Sequence, residues 1–190
     1  MTPAAKNSEN KIFTIPNLLS LFRLLLVPLC IWLYCWEHEY LLTAALLVLS
    51  GVTDVADGFI ARRFHMVSNI GKVLDPIADK LTQAAMLFCL VFRYPHMIYP
   101  LLLMVAKELV IGITGWLAIK KTGQVFGAKW HGKAATVLLY SMLFLHLLWL
   151  HVPPVFSDVL IIICFAAILL SFILYAVQNL RLIFSASRAS

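Results

Sequence analysis

The chain has 190 residues, of which 62% are hydrophobic and 13% charged, and its mean hydropathy is +0.92. That apolar share exceeds what a water-soluble domain of this size can bury, and it excludes a large soluble domain in favour of one compact membrane bundle. The net charge of +6 would suit nucleic acid, but the basic residues flank apolar stretches, so anionic lipid headgroups are the partner they fit and no nucleic-acid partner is expected.

In chain order, the opening MTPAAKNSENK is polar and leads into an apolar run that contains Arg23. It has no small-residue cleavage site, so a cleavable leader is not expected. KIFTIPNLLS follows, and Pro16 at a helix start predicts a short interfacial helix or elbow within residues 1–16. Six apolar segments then come, each near the ~20 residues that cross a bilayer: Asn17–Trp36, Leu41–Ala61, Ile70–Phe92, Met97–Ile119, Ala134–Leu150 and Ser157–Gln178. The expected fold is all-α: a polytopic membrane protein of six transmembrane helices, a single membrane domain over residues 1–190. Residues 180–190, ending in SASRAS, read as a flexible tail.

Lys6, Lys11, Arg62, Arg63, Lys72, Lys120, Lys121, Lys129, Lys133, Arg181 and Arg188 fall at one set of segment ends. The opposite turns, EHEY, RYPH and HVPPVF, carry only Arg93. The positive-inside rule therefore puts both termini on the cytoplasmic side of a cell membrane, which an even number of spans satisfies. Cys30, Cys35, Cys89 and Cys164 lie inside apolar segments without a C-x-x-C pair and read as small buried hydrophobes. The six histidines are dispersed without metal-ligand spacing. His131, beside Trp130 and Lys133, is the one to test.

The chemistry sits in DVADGFIARRFHMVSNIGKVLDPIADK. Asp54 and Asp57 are three residues apart, Asp75 and Asp79 four apart, so on helices each pair shares a face. Ionisable groups at membrane depth are costly and mark functional sites. Four clustered carboxylates repel unless positive charge lies between them, and one or two hard divalent cations are the simplest neutraliser. Two such ions can grip a phosphoryl group and stabilise its entering and leaving oxygens. Gly51, Gly58, Ala61 and Gly71 allow close backbone approach, and Arg62 and Arg63 follow at once, suited to a phosphate.

Asp54-x2-Asp57-Gly58-x2-Ala61-Arg62-x8-Gly71-x3-Asp75-x3-Asp79 resembles the signature of the CDP-alcohol phosphatidyltransferases at all eight fixed positions. The resemblance implies transfer of a phosphatidyl-type group from a CDP-linked donor to an acceptor hydroxyl, with release of CMP. It implies two divalent cations, Mg2+ or Mn2+, bridged by Asp54 and Asp75, with Asp57 completing one shell and Asp79 the other. Asp79 would also be the general base. Gly58, Arg62 and Ser68 would contact the CDP group, with Ala61 and Gly71 leaving space for it. A homodimer is implied as well.

Within the family, IPNLLSLFRLLLVP and GKVLDPIADKL resemble the phosphatidylglycerophosphate synthases and their relatives, the cardiolipin synthases. The donor would be CDP-diacylglycerol and the acceptor sn-glycerol 3-phosphate or, for the second group, phosphatidylglycerol. An acceptor phosphate needs cations, and Arg23, Lys107 and Lys133 are the candidates, with Lys133 in a G-K-x-x-T element. Lys107 and Glu108 replace the Arg-Glu pair of the synthases, with no further arginine after them, which keeps the cardiolipin reading open. Adjacent on a helix, Lys107 and Glu108 point about 100° apart and need not pair. Other classes weighed against this reading are an intramembrane prenyltransferase, a cation-conducting bundle and a non-catalytic lipid-binding relative. A single acidic cluster with a G-x-x-A-R insert fits them less well.

Overall fold

A computed structural model describes residues 14–63, 71–122 and 130–188; within these ranges the side chains at 15, 16, 55, 57, 58, 60–62, 72, 73, 118, 121, 122 and 183–188 lie outside the description. The described residues are helical, without strands: α1 Ile15–Cys35, α2 Tyr40–Arg63, α3 Gly71–Val91, a 3-10 turn Pro95–Met97, α4 Ile98–Thr122, α5 Trp130–Leu148 and α6 Pro154–Arg188. The six long helices correspond one for one to the six expected segments. Among the described residues four spans are long and apolar enough to cross a membrane: Asn17–Glu37, Pro95–Leu117, Trp130–Leu148 and Pro154–Leu182. In α2 the apolar stretch stops at Asp54. In α3 the charges at 72, 75, 79 and 80 confine the uncharged run to Leu81–Val91. The two shorter apolar stretches thus belong to the helices that carry the acids.

The structure moves several boundaries. The fifth helix begins at Trp130, four residues before Ala134. The sixth runs from Pro154 through Arg188, so the segment 180–190 expected as a flexible tail is helical as far as Arg188. No Gly or Pro interrupts it after Pro154, and at 35 residues it is about 52 Å long, well beyond a ~30 Å hydrocarbon core. Most of the expected N-terminal interfacial helix lies outside the described residues. Thr14 caps α1, its Oγ1 accepting the Asn17 N–H at 3.4 Å, and Pro16 sits in the first turn, where a missing N–H costs nothing.

The chain forms two compact units, Met1–Cys89 and Leu90–Ser190. In the first, α1 buries one face at helical spacing: Asn17, Ser20 and Arg23, then Leu26, Cys30, Leu33 and Tyr34. Its first half is polar and its second apolar. The face meets α3 at both ends. Ser20 contacts Asp75, and the sulfurs of Cys35 and Cys89 lie 3.7 Å apart, so α1 and α3 run side by side in the same direction. The turn into α2 is tight, with His38 at φ +56° and Glu39 N–H bonded to Leu33 O at 3.0 Å.

In the second unit α6 packs on α4 and α5. Its buried face is Ser157, Ile161, Cys164, Ile168, Ser171 and Asn179, again at helical spacing. Polar contacts pin this apolar seam near both ends. His146 Nε2 meets Ser157 Oγ at 2.9 Å while its Nδ1 meets Met142 O at 2.8 Å. Toward the other end His131 Nδ1 meets Ser171 Oγ at 3.4 Å, and Asn179 Nδ2 donates to Thr114 Oγ1 at 2.9 Å. Buried polar groups are tolerated there because they satisfy one another. Leu25, Ile113, Val137 and Ile162 are among the large apolar side chains left exposed, a surface suited to lipid.

Candidate active site

Three helices of the first unit build the acidic site. Asp54 lies in the second half of α2, Asp75 and Asp79 in the first half of α3, the latter two one turn apart on one face. Pro76 stands between them inside the helix and, lacking an N–H, deprives the Lys72 carbonyl of its usual partner. Against these acids α1 presents Ser20 and Arg23, also one turn apart. Arg23 Nη1 donates to Asp54 Oδ1, Arg23 Nη2 reaches Asp75 Oδ1 at 3.5 Å, and Ser20 Oγ donates to the same Asp75 oxygen.

Burial divides the roles. The Arg23 side chain is 2% exposed, while Asp54 and Asp75 are 48% and 37% exposed. The cation is locked in the helix packing, and the carboxylates it holds stay open to a ligand. Asp54 feels the repulsion of Asp75 and Asp79 as well as the attraction of Arg23, so these four charges form one electrostatic unit. Asp79 is tied within α3: Gln83 Nε2 donates to its Oδ2 at 3.0 Å, and Lys80 Nζ lies 4.0 Å from the same oxygen.

The donor set is carboxylate oxygen, the ligand type preferred by Mg2+ and Mn2+. Carboxylates from two helices already converge on one positive centre, the Arg23 guanidinium, so the residues fit divalent cations chemically. Among the described residues no three His, Cys, Asp or Glu side chains stand close enough to hold an ion; the side chain of Asp57, expected as the fourth ligand, lies outside the description.

The other expected site residues divide by position. Gly58, Ala61 and Arg62 lie on the α2 backbone with undescribed side chains, and Ser68 lies outside the described residues. Gly71 opens α3 and is buried. Arg23, expected at an acceptor phosphate, is engaged with the acids. In the second unit Lys107 is 7% exposed and its Nζ pairs directly with Glu108 Oε1 at 3.0 Å, a pairing the sequence left open. The long flexible stems of both residues close the 100° offset that separates them around the helix. Lys133 is exposed in the first turn of α5. His131, singled out from sequence, is buried against Ser171 and the Tyr175 ring, centroids 4.5 Å apart. Sequence reading missed Ser20 and Gln83. Helical offsets would have found them, Ser20 one turn before Arg23 and Gln83 one turn after Asp79.

The family model for CDP-alcohol phosphatidyltransferase matches residues 13–181. A protein of Aquifex aeolicus is 30% identical over 176 residues, 90% of this chain and 98% of its own length. Its name is CDP-diacylglycerol--glycerol-3-phosphate 3-phosphatidyltransferase. One of the same name from Pectobacterium atrosepticum is 38% identical over 144 residues, 72% of this chain and 78% of the relative. A Schizosaccharomyces pombe fusion protein, cardiolipin synthase (CMP-forming) with a mitochondrial hydrolase, is 41% identical over 91 residues, 48% of this chain but 15% of the fusion.

Proposed function

The chain belongs to the CDP-alcohol phosphatidyltransferase family, and from that premise we propose that it is a multi-pass membrane enzyme that transfers the phosphatidyl group of CDP-diacylglycerol to sn-glycerol 3-phosphate, giving phosphatidylglycerophosphate and CMP. The observation that carries the reading is the convergence of Asp54 and Asp75, from two helices, on one buried positive charge beside Asp79. It is joined to relatives of that name matched over most of their length.

Asp54, Asp57, Asp75 and Asp79 would hold two divalent cations, Mg2+ or Mn2+. Bound there, the ions would neutralise the donor's pyrophosphate, the charge stabilisation on which phosphoryl transfer depends. Asp79 takes the proton of the acceptor hydroxyl. The freed oxygen forms a bond to the phosphorus distal to cytidine, the bond from that phosphorus to the bridging oxygen breaks, and CMP leaves with the bridging oxygen. Arg23 and Ser20 hold Asp54 and Asp75 in place while the lipid covers the site. Gly58, Arg62 and Ser68 contact the cytidine diphosphate, with Ala61 and Gly71 as its space. Lys107 and Lys133 are the acceptor-phosphate candidates, and Arg23 serves the acids instead. The Lys and Arg distribution supports an orientation with the acids and both termini at the cytoplasmic face, and the family resemblance supports a homodimer.

A second reading, phosphatidylglycerol as acceptor, is favoured by the identity with the cardiolipin synthase fusion and by Lys107, which offers no bidentate fork to a phosphate. Purified protein with CDP-diacylglycerol and a panel of acceptors separates the two. CMP release is expected with glycerol 3-phosphate. Release with phosphatidylglycerol alone would establish the second reading and overturn the first.

A further inference from the structure

Gln83 lies on α3, 1% exposed, one turn beyond Asp79. Its Nε2 donates to Asp79 Oδ2 at 3.0 Å, and its Oε1 accepts from Lys80 Nζ at 3.4 Å. These are the i+4 and i+3 offsets at which helical side chains meet. The amide has a defined direction. Turned over, its oxygen would face a carboxylate oxygen and its NH2 group an ammonium, both repulsive, so electrostatics selects the orientation that donates to Asp79.

The second contact falls on the same carboxylate oxygen, since Lys80 Nζ lies 4.0 Å from Asp79 Oδ2. Two groups that both engage Oδ2 fix the rotation of the carboxylate about its last bond, and with it the direction of Oδ1. Stability does not explain an amide at this position. Its desolvation is merely offset by its two hydrogen bonds, and a leucine of similar size would bury at least as well.

We infer that Gln83 is a positioning residue, a clamp that aims the Asp79 carboxylate at the acceptor hydroxyl. The inference rests on the role given to Asp79 above. Lys80 orients the clamp from its other end, so the three residues act as a relay along a single turn of α3.

The experiment compares full-length Gln83→Leu, Gln83→Glu and Asp79→Asn with the parent protein in detergent. The readouts are CMP release from CDP-diacylglycerol with glycerol 3-phosphate and the melting temperature without substrate. Gln83→Leu is expected to keep the melting temperature and the KM for CDP-diacylglycerol. Its kcat falls about ten- to hundredfold, the range for losing one hydrogen bond to a charged group. Gln83→Glu keeps the acceptor for Lys80 but sets a carboxylate oxygen against Asp79, and it loses at least as much. Full turnover in Gln83→Leu beside an inactive Asp79→Asn would overturn the clamp and leave the proposed reaction standing. A fall in kcat matched by a fall in melting temperature would make Gln83 structural and equally overturn it. Full turnover in Asp79→Asn would remove the premise itself.

Discussion

Arg23→Met removes a buried positive charge while keeping an unbranched apolar side chain of similar reach, so it isolates the electrostatic work of α1. Among the described residues the side chain makes charged contacts with Asp54 and Asp75. Both acids are more than a third exposed, and solvent screening holds each contact near the surface value of up to about 1 kcal/mol. The methionine fills the buried space, so little packing is lost. The net expectation is a loss of about 1–2 kcal/mol, which for a chain of this length is a fall of about 2–8 °C in melting temperature. That fall is read in EDTA, where no divalent ion shares the acids' charge. The second half of the prediction is a rescue. Without Arg23 the mutual repulsion of Asp54, Asp75 and Asp79 is less compensated, so millimolar Mg2+ should raise the melting temperature of Arg23→Met more than that of the parent. Coincident melting in EDTA, or an equal response of both proteins to Mg2+, would refute the idea that Arg23 is the acids' counter-charge.

The sulfurs of Cys35 and Cys89, 3.7 Å apart at the far ends of α1 and α3, should be joined by copper-phenanthroline into an intramolecular disulfide, whose sulfurs stand about 2.05 Å apart. Two of the four thiols then resist alkylation, serine at either position abolishes the bond, and Cys164→Ser does not; four reactive thiols after oxidation would mean that α1 and α3 do not run side by side. At Gly132 a Cβ would come within 2.7 Å of Tyr175 Oη, so Gly132→Ala must displace that ring from His131 and is expected to cost about 1–3 kcal/mol, as overpacking does. Gly115→Ala, where the nearest atom is Asn179 Nδ2 at 3.9 Å, is the control and should melt with the parent protein.

The order of helices was legible because four apolar runs are long enough to cross a bilayer, two shorter ones adjoin the acids, and polar or Pro-containing turns separate them. Where the runs ended was less legible. Hydropathy marks where a chain leaves lipid, whereas a helix continues while its backbone bonds and lateral packing last, and α6 runs on through Leu182 to Arg188. The acids were legible from their spacing and their cost in an apolar segment. What holds them was not. Arg23 alone in an apolar span reads equally as a headgroup anchor or a phosphate ligand, and its partners lie 31 and 52 residues away along the chain. The pairing of Lys107 with Glu108 was left open for a related reason, since backbone angle governs short side chains far more than long ones.

The acidic signature lies wholly on α2 and α3, yet the structure gives their acids a third support, because the polar half of the buried α1 face (Asn17, Ser20, Arg23) lies at the level of Asp75. An arginine at this point has a physical advantage over a lysine. Its planar fork reaches two carboxylates at once, where an ammonium acts as a single point charge. A site that a lipid donor must cover becomes drier as it fills, so each carboxylate loses hydration at the moment its charge is needed. A buried guanidinium compensates part of that loss without leaving the helix packing. It attracts the acids strongly enough to set their positions, while their exposure leaves them open to a cation and a pyrophosphate from the other side. In the proposed reaction the first transmembrane helix therefore supports the acids as much as the two helices that carry the signature.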